Sequence, residues 1–121
     1  MAAMIKQGYL LVIILREAGY LEQILDALMK VGVSGVTLLD SRGISTRTYH
    51  RHIEQFSIAA VMEHLFVSDK QESKILLVLA RYKSLLTKAR KRIEEIVGDI
   101  DKPRNAVVFT VPVQDIRGIA G

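Results

Sequence analysis

Two stretches of the chain share one hydrophobic rhythm. The first opens with a seven-residue apolar run, Tyr9 to Leu15, flanked by Lys6 and Arg16. That run is too short to cross a bilayer, which takes roughly 20 apolar residues, and has the length of a buried strand. Leu21, Ile24, Leu25 and Leu28 then fall at i, i+3, i+4 and i+7 on one face of a helix, with Glu22, Gln23, Asp26 and Lys30 on or towards the other. Gly32 stands where a left-handed helix cap is expected, and Val36-Thr37-Leu38-Leu39 reads as a second strand.

The second half repeats the order. Lys74 to Ala80 is another apolar run of strand length, and Tyr82, Leu85, Leu86, Ala89, Ile93, Ile96 and Val97 make a helical stripe. Lys83, Lys88, Lys91, Arg92, Glu94 and Glu95 fill the solvated side, with Lys91–Glu95 and Arg90–Glu94 spaced to pair at i,i+4. The segment GDIDKPRN breaks the pattern around Pro103. Ala106 to Val111 then reads as a fourth strand, with Pro112 placed at a strand end or a sheet edge.

Between the halves lies Ser41 to Glu72, a polar SRGISTRTYHRH, an apolar IEQFSIAAVMEHLF and a polar VSDKQES. Phe56, Ala59, Ala60 and Glu63 are helically spaced, so the apolar patch reads as a short helix or an irregular strand edge, partly ordered. The stretch from Arg42 to His52 is the better candidate for disorder. A connection this long in a compact domain tends to be functional or mobile.

The order β-α-β, excursion, β-α-β predicts an α+β, ferredoxin-like split βαβ fold: one four-stranded antiparallel sheet with two helices on one face. Leu10–Leu15 and Ile75–Leu79 are apolar at nearly every position, as in strands covered on both faces. The chain has no second layer to supply, so an oligomer is expected to cover the open face.

Composition narrows the chemistry. The 121 residues fit one domain spanning 1–121, and a chain half hydrophobic and a quarter charged is not disordered. There is no cysteine, which removes disulfides and thiolate metal sites. Residues 1–8 carry only Lys6 and do not read as an export signal, so a cytoplasmic location is expected. The net charge of +4, from 17 basic and 13 acidic side chains, permits an anionic partner without calling for nucleic acid.

No Walker A, dinucleotide glycine fingerprint, HExxH or GxSxG motif occurs. Asp40, Glu17 and Asp115 make no acid/base pair, so no catalytic residue is assigned and a non-enzymatic role is expected. His50 and His52 alternate and His64 stands nearby; they read as solvated loop histidines, with a shared zinc as the rival reading. The basic helix face at Lys83, Lys88, Lys91 and Arg92 lacks stacking aromatics and is broken by Glu94 and Glu95, so it reads as solvated. A scattered cationic set lies at element ends instead: Arg42 beside Gly43, Lys102 and Arg104 after the second helix, and Arg117 after the last strand. Cations converging there, with backbone N–H groups of Gly43 or Gly98, would clamp a phosphate chain.

Lys30 to Gly43, KVGVSGVTLLDSRG, resembles the PII signal-transduction family. The matching positions are the turn glycines Gly32 and Gly35, the strand Thr37, and Asp40, Arg42 and Gly43 at the start of that family's long T-loop. The closing VVFTVPVQDIRGI is similar to the family's last strand and the segment leading to its C-terminal arginines. Two differences are plain. The family's glycine-rich phosphate turn is here GDIDKPRN, and of its two late arginines only Arg117 is present.

The resemblance implies a homotrimer whose sheets pack round a threefold axis, with an adenine nucleotide (ATP, ADP or AMP) bound as effector in clefts between subunits. Carried over, the nucleotide-binding residues are Thr37, Arg42, Gly43, the turn with Asp99, Lys102 and Arg104, and Arg117. Residues 41–72 would be the T-loop, contacting a target transporter or enzyme, with membranes reached only through that target. Two rival readings are a metal-linked trimer like the CutA proteins, built on His50, His52 and His64, and a structural oligomer with no small-molecule ligand.

Overall fold

The computed structural model describes residues 5–16, 18–42, 72–98 and 106–118. Strand β1 (Ile5–Leu15) leads through a 3-10 turn (Ala18–Tyr20) into helix α1 (Leu21–Lys30), followed by β2 (Thr37–Arg42). Strand β3 (Glu72–Ala80), helix α2 (Lys83–Val97) and β4 (Ala106–Ile116) complete the set. The strands form one antiparallel sheet in the order β2-β3-β1-β4. This is the split βαβ arrangement expected from the duplicated pattern.

The register explains why the strands are apolar on both sides. Leu11, Ile13 and Leu15 of β1, Leu76, Val78 and Ala80 of β3, and Ala106 of β4 share the face that receives the helices. Ile24 and Leu28 of α1, with Leu86, Ala89, Ile93 and Val97 of α2, close this core from above. On the other face the pairs Leu10↔Leu79, Leu10↔Val111, Val12↔Leu77 and Val12↔Phe109 lay down a second apolar layer. Phe109 there is 42% exposed, and Leu39, Leu79, Val107 and Val111 are exposed as well. The alternation places them opposite the helices, so one chain leaves that face uncovered.

Several element bounds differ from expectation. β1 begins at Ile5, before the apolar run, because β4 continues through Pro112 to Ile116 and pairs with it down to Ile5↔Ile116. Pro112 is tolerated inside a strand because β4 lies at the sheet edge, where a missing N–H breaks no second ladder. Tyr82 is not part of the buried stripe: it precedes α2 in an extended conformation and is 64% exposed. The described ion pairs on the helices are Lys30–Asp26 at 2.9 Å and Arg92–Glu95 at 3.3 Å, the latter at i,i+3 where i,i+4 pairs were expected.

The long excursion also starts later than its polarity implies. Ser41 and Arg42 belong to β2 and pair with Ser73 and Glu72, so the strands hold together to that point. Residues 43–71, with the apolar patch, His50, His52 and His64, lie outside the described residues.

Candidate functional site

The site follows from how α1 hands over to β2. Gly32 takes φ +105°, a left-handed conformation that favours glycine, and turns the chain out of the helix. The turn is held by Gly32 N–H donating to the Met29 carbonyl at 3.2 Å and Val33 N–H to the Leu28 carbonyl at 3.0 Å. Val33 is buried beneath it, which anchors the segment, while Ser34 and Gly35 remain exposed. These residues delay the start of β2 until Thr37, opposite Leu77.

The delay opens a cleft. Val78, Leu79 and Ala80 at the end of β3 have no β2 residue beside them, and the 31–36 segment stands off from that edge. The resulting cavity has a volume of about 690 Å³. Its floor is apolar, made by Leu10, Leu77 and Leu79. One wall is the α1–β2 turn with Ser34, Gly35 and Thr37. The opposite wall is the β3–α2 junction, with Arg81, Tyr82, Ser84 and Lys88.

Two features set its chemistry. Among the described residues, the lining carries two cationic side chains, Arg81 and Lys88, and no carboxylate. The Arg81 Nη2 is shut off from solvent and has no hydrogen-bond partner among the described residues. A cleft with an apolar floor, hydroxyls on facing walls and cations on one side accommodates a flat ring together with an anionic group.

Thr37 is the residue expected at the site that the structure places in this cleft. Arg42 ends the same strand five positions on, about 17 Å away at the rise of an extended chain. Arg117 follows β4, on the far side of β1 from β3, and does not line the cavity. Gly43, Asp99, Lys102 and Arg104 lie outside the described residues. The fold of one chain thus does not gather Arg42 and Arg117 around Thr37.

Sequence reasoning missed Arg81, and placed Tyr82 and Lys88 on a core stripe and a solvated face. A signal for Arg81 existed, since it sits at an element end just as Arg42 and Arg117 do. Among the described residues no group of three potential metal ligands converges. No helix of the described residues is long and apolar enough to cross a membrane.

No family model and no curated protein matches the sequence. Solved structures do match. The apo form of CPII, a nitrogen regulatory PII-like protein from Thiomonas intermedia K12, aligns with a TM-score of 0.58 at 18% identity over 98% of this chain and 100% of that one. CPII from the same organism bound to ADP, AMP and acetate aligns at 0.57 and 19% identity, over 93% and 91% of the two chains. The B. subtilis GlnK–ATP complex gives 0.54 at 14% identity, over 92% and 85%. The chain has the PII-like fold, and the resemblance read from Lys30 to Gly43 is borne out at that level.

Proposed function

We propose that this chain is a PII-like regulator: a homotrimer that binds an adenine nucleotide in the cleft between the 31–37 segment and the β3–α2 junction. It performs no covalent chemistry, acts in the cytoplasm, and signals to a target transporter or enzyme through residues 41–72. The observation that carries this reading is the cleft itself, an apolar floor under paired cations in the fold shared with nucleotide-bound CPII and GlnK.

The same strand serves both ends of the device. Thr37 at the start of β2 lines the cleft, and Arg42 at its end is the root of the long excursion. A ligand that shifts Thr37 against Leu77 acts on the ladder that carries the loop. Loop shape then responds in proportion to the ligand's different affinities for the two arrangements. In the trimer, the uncovered apolar face beyond the cleft floor, with Val12, Phe109 and Val111, packs against its copies, and Arg42, Gly43, the Asp99–Arg104 turn and Arg117 supply further contacts to the nucleotide from neighbouring subunits.

A thermal-shift titration with ATP, ADP and AMP, with and without magnesium, tests this. A ligand confined to the native state stabilises by about 2.7 kcal/mol at a hundredfold excess over Kd. At least one adenine nucleotide is expected to raise the melting temperature by several degrees. No response to any of the three overturns the sensor and leaves a structural oligomer. Light scattering checks the assembly separately, and a monomer at micromolar concentration removes the trimer.

A further inference from the structure

Within the cleft, Arg81 Nη2 at the β3–α2 junction is a buried donor with no hydrogen-bond partner among the described residues. From it we infer that Arg81 is the anchoring cation of the cleft, holding the phosphoryl group of the bound nucleotide within a single subunit. The inference rests on the proposed function for the identity of the ligand, and on the cleft's own geometry for the anion.

Arg81 directly follows the last residue of β3 and precedes the extended Tyr82. Its position is therefore set by the sheet rather than by a loop. Nη2 is out of contact with solvent and donates to no acceptor among the described residues. A charged donor left in that condition is costly, and an acceptor arriving from outside removes the cost. Among the described residues the lining provides no charged one, for it includes no carboxylate.

The surroundings specify the class of acceptor. Lys88, further along α2, adds a second positive charge to the same wall, and Ser84 lies between them in sequence with a hydroxyl at the cavity surface. A guanidinium fork matches two oxygens of a phosphoryl group, and an ammonium adds a point charge beside it. Leu10, Leu77 and Leu79 offer the apolar floor on which the base would lie. The anion is then held by the β3–α2 junction of the subunit whose Thr37 forms the facing wall. This differs from a clamp built on the 98–105 turn, where Pro103 removes one backbone donor.

Isothermal titration of the full chain with ADP, AMP, adenosine and inorganic pyrophosphate, for wild type and Arg81→Ala, decides the matter. Loss of a charge-assisted contact to phosphate is expected to weaken ADP and AMP by about 10- to 100-fold and leave adenosine unchanged. Equal nucleotide affinity in wild type and variant overturns the assignment. So does a variant that falls apart as an oligomer at unchanged affinity, because the guanidinium would then be pairing with a neighbouring subunit. Wild-type protein that ignores nucleotides but binds pyrophosphate in an Arg81-dependent way supports the anion site while sinking the nucleotide sensor. Binding of none of the four ligands overturns both. Should Arg81→Ala fail to fold, Arg81→Gln keeps an apolar stem and a polar tip and is read on the same scale.

Discussion

The β2–β3 ladder has two ends, built from the same kinds of residue and finished in opposite ways. At the loop root, Ser41 and Ser73 face each other with their Oγ atoms 2.5 Å apart. Ser41 Oγ also reaches the Ser73 carbonyl at 3.3 Å, and Ser73 Oγ the Ser41 carbonyl at 3.1 Å. One pair further in, Lys74 and Asp40 form an ion pair. At the other end β2 and β3 part, β3 runs on beside β1 alone, and Arg81 is left with a buried nitrogen that has no partner among the described residues. Buried polar groups are ordinarily satisfied. The root satisfies its own and holds the strands in register, whereas the cleft end keeps an unmet demand that a ligand can fill.

The sharpest way to break that contrast is to fill the cleft from within. Gly35 lines it, and a Cβ added there meets no atom within 4 Å. Gly35→Trp is therefore expected to cost the free protein no more than about 0.5 kcal/mol, the ordinary range for an exposed position. Nucleotide affinity is expected to fall by at least about 100-fold, since the indole takes the space of the base. Titration calorimetry beside a melting curve reads both. Unchanged affinity would place the ligand elsewhere.

The root is expected to respond in the opposite sense. Ser73 is only 7% exposed, and Ser73→Val removes its hydroxyl and with it the Oγ–Oγ contact and the bond to the Ser41 carbonyl, while the Ser41 hydroxyl keeps the Ser73 carbonyl. Loss of stability of about 1–2 kcal/mol follows, read as a lower urea midpoint at unchanged slope and fixed protein concentration. Nucleotide affinity at the far end of the ladder should change by only about threefold, the modest reciprocal effect of a ladder that passes the ligand's influence to the loop root. No change at all would mean that β2 does not carry the signal.

Much of this fold was legible because its periods are clean. Leu21, Ile24, Leu25 and Leu28 can only be a helix face, and the unbroken apolar strands announced a sheet with two apolar sides. Gly32 was placed correctly from its position after the last periodic residue, and its φ of +105° is what that position demands. The strand ends were less legible. Ile5 to Gly8 has no apolar alternation, and it is strand because β4 pairs with it. The cleft was not legible at all. It exists because Thr37 meets Leu77 rather than Leu79, and that register is fixed across the 43–71 connection, not by any local pattern. Arg81 could be named as an end-of-strand cation, but its unpartnered nitrogen is a fact of packing.

The smallest expected effect tests whether the root is held by hydroxyls or by charge. Asp40 is 85% exposed at its side chain and Lys74 is 22% exposed, so solvent and salt screen the pair strongly. Asp40→Asn keeps the shape and removes the charge. A loss of roughly 0.5 kcal/mol or less is expected, fading as ionic strength rises from 10 mM to about 0.5 M, where the Debye length has shrunk well below 10 Å. The Ser73→Val loss should persist across the same salt range, because a buried hydroxyl pair carries no net charge to screen. If the two variants traded places, with Asp40→Asn the costlier and both effects salt-dependent, the ladder would be fastened by its outer ion pair. The contrast between a satisfied root and an unsatisfied cleft would then rest on Arg81 alone.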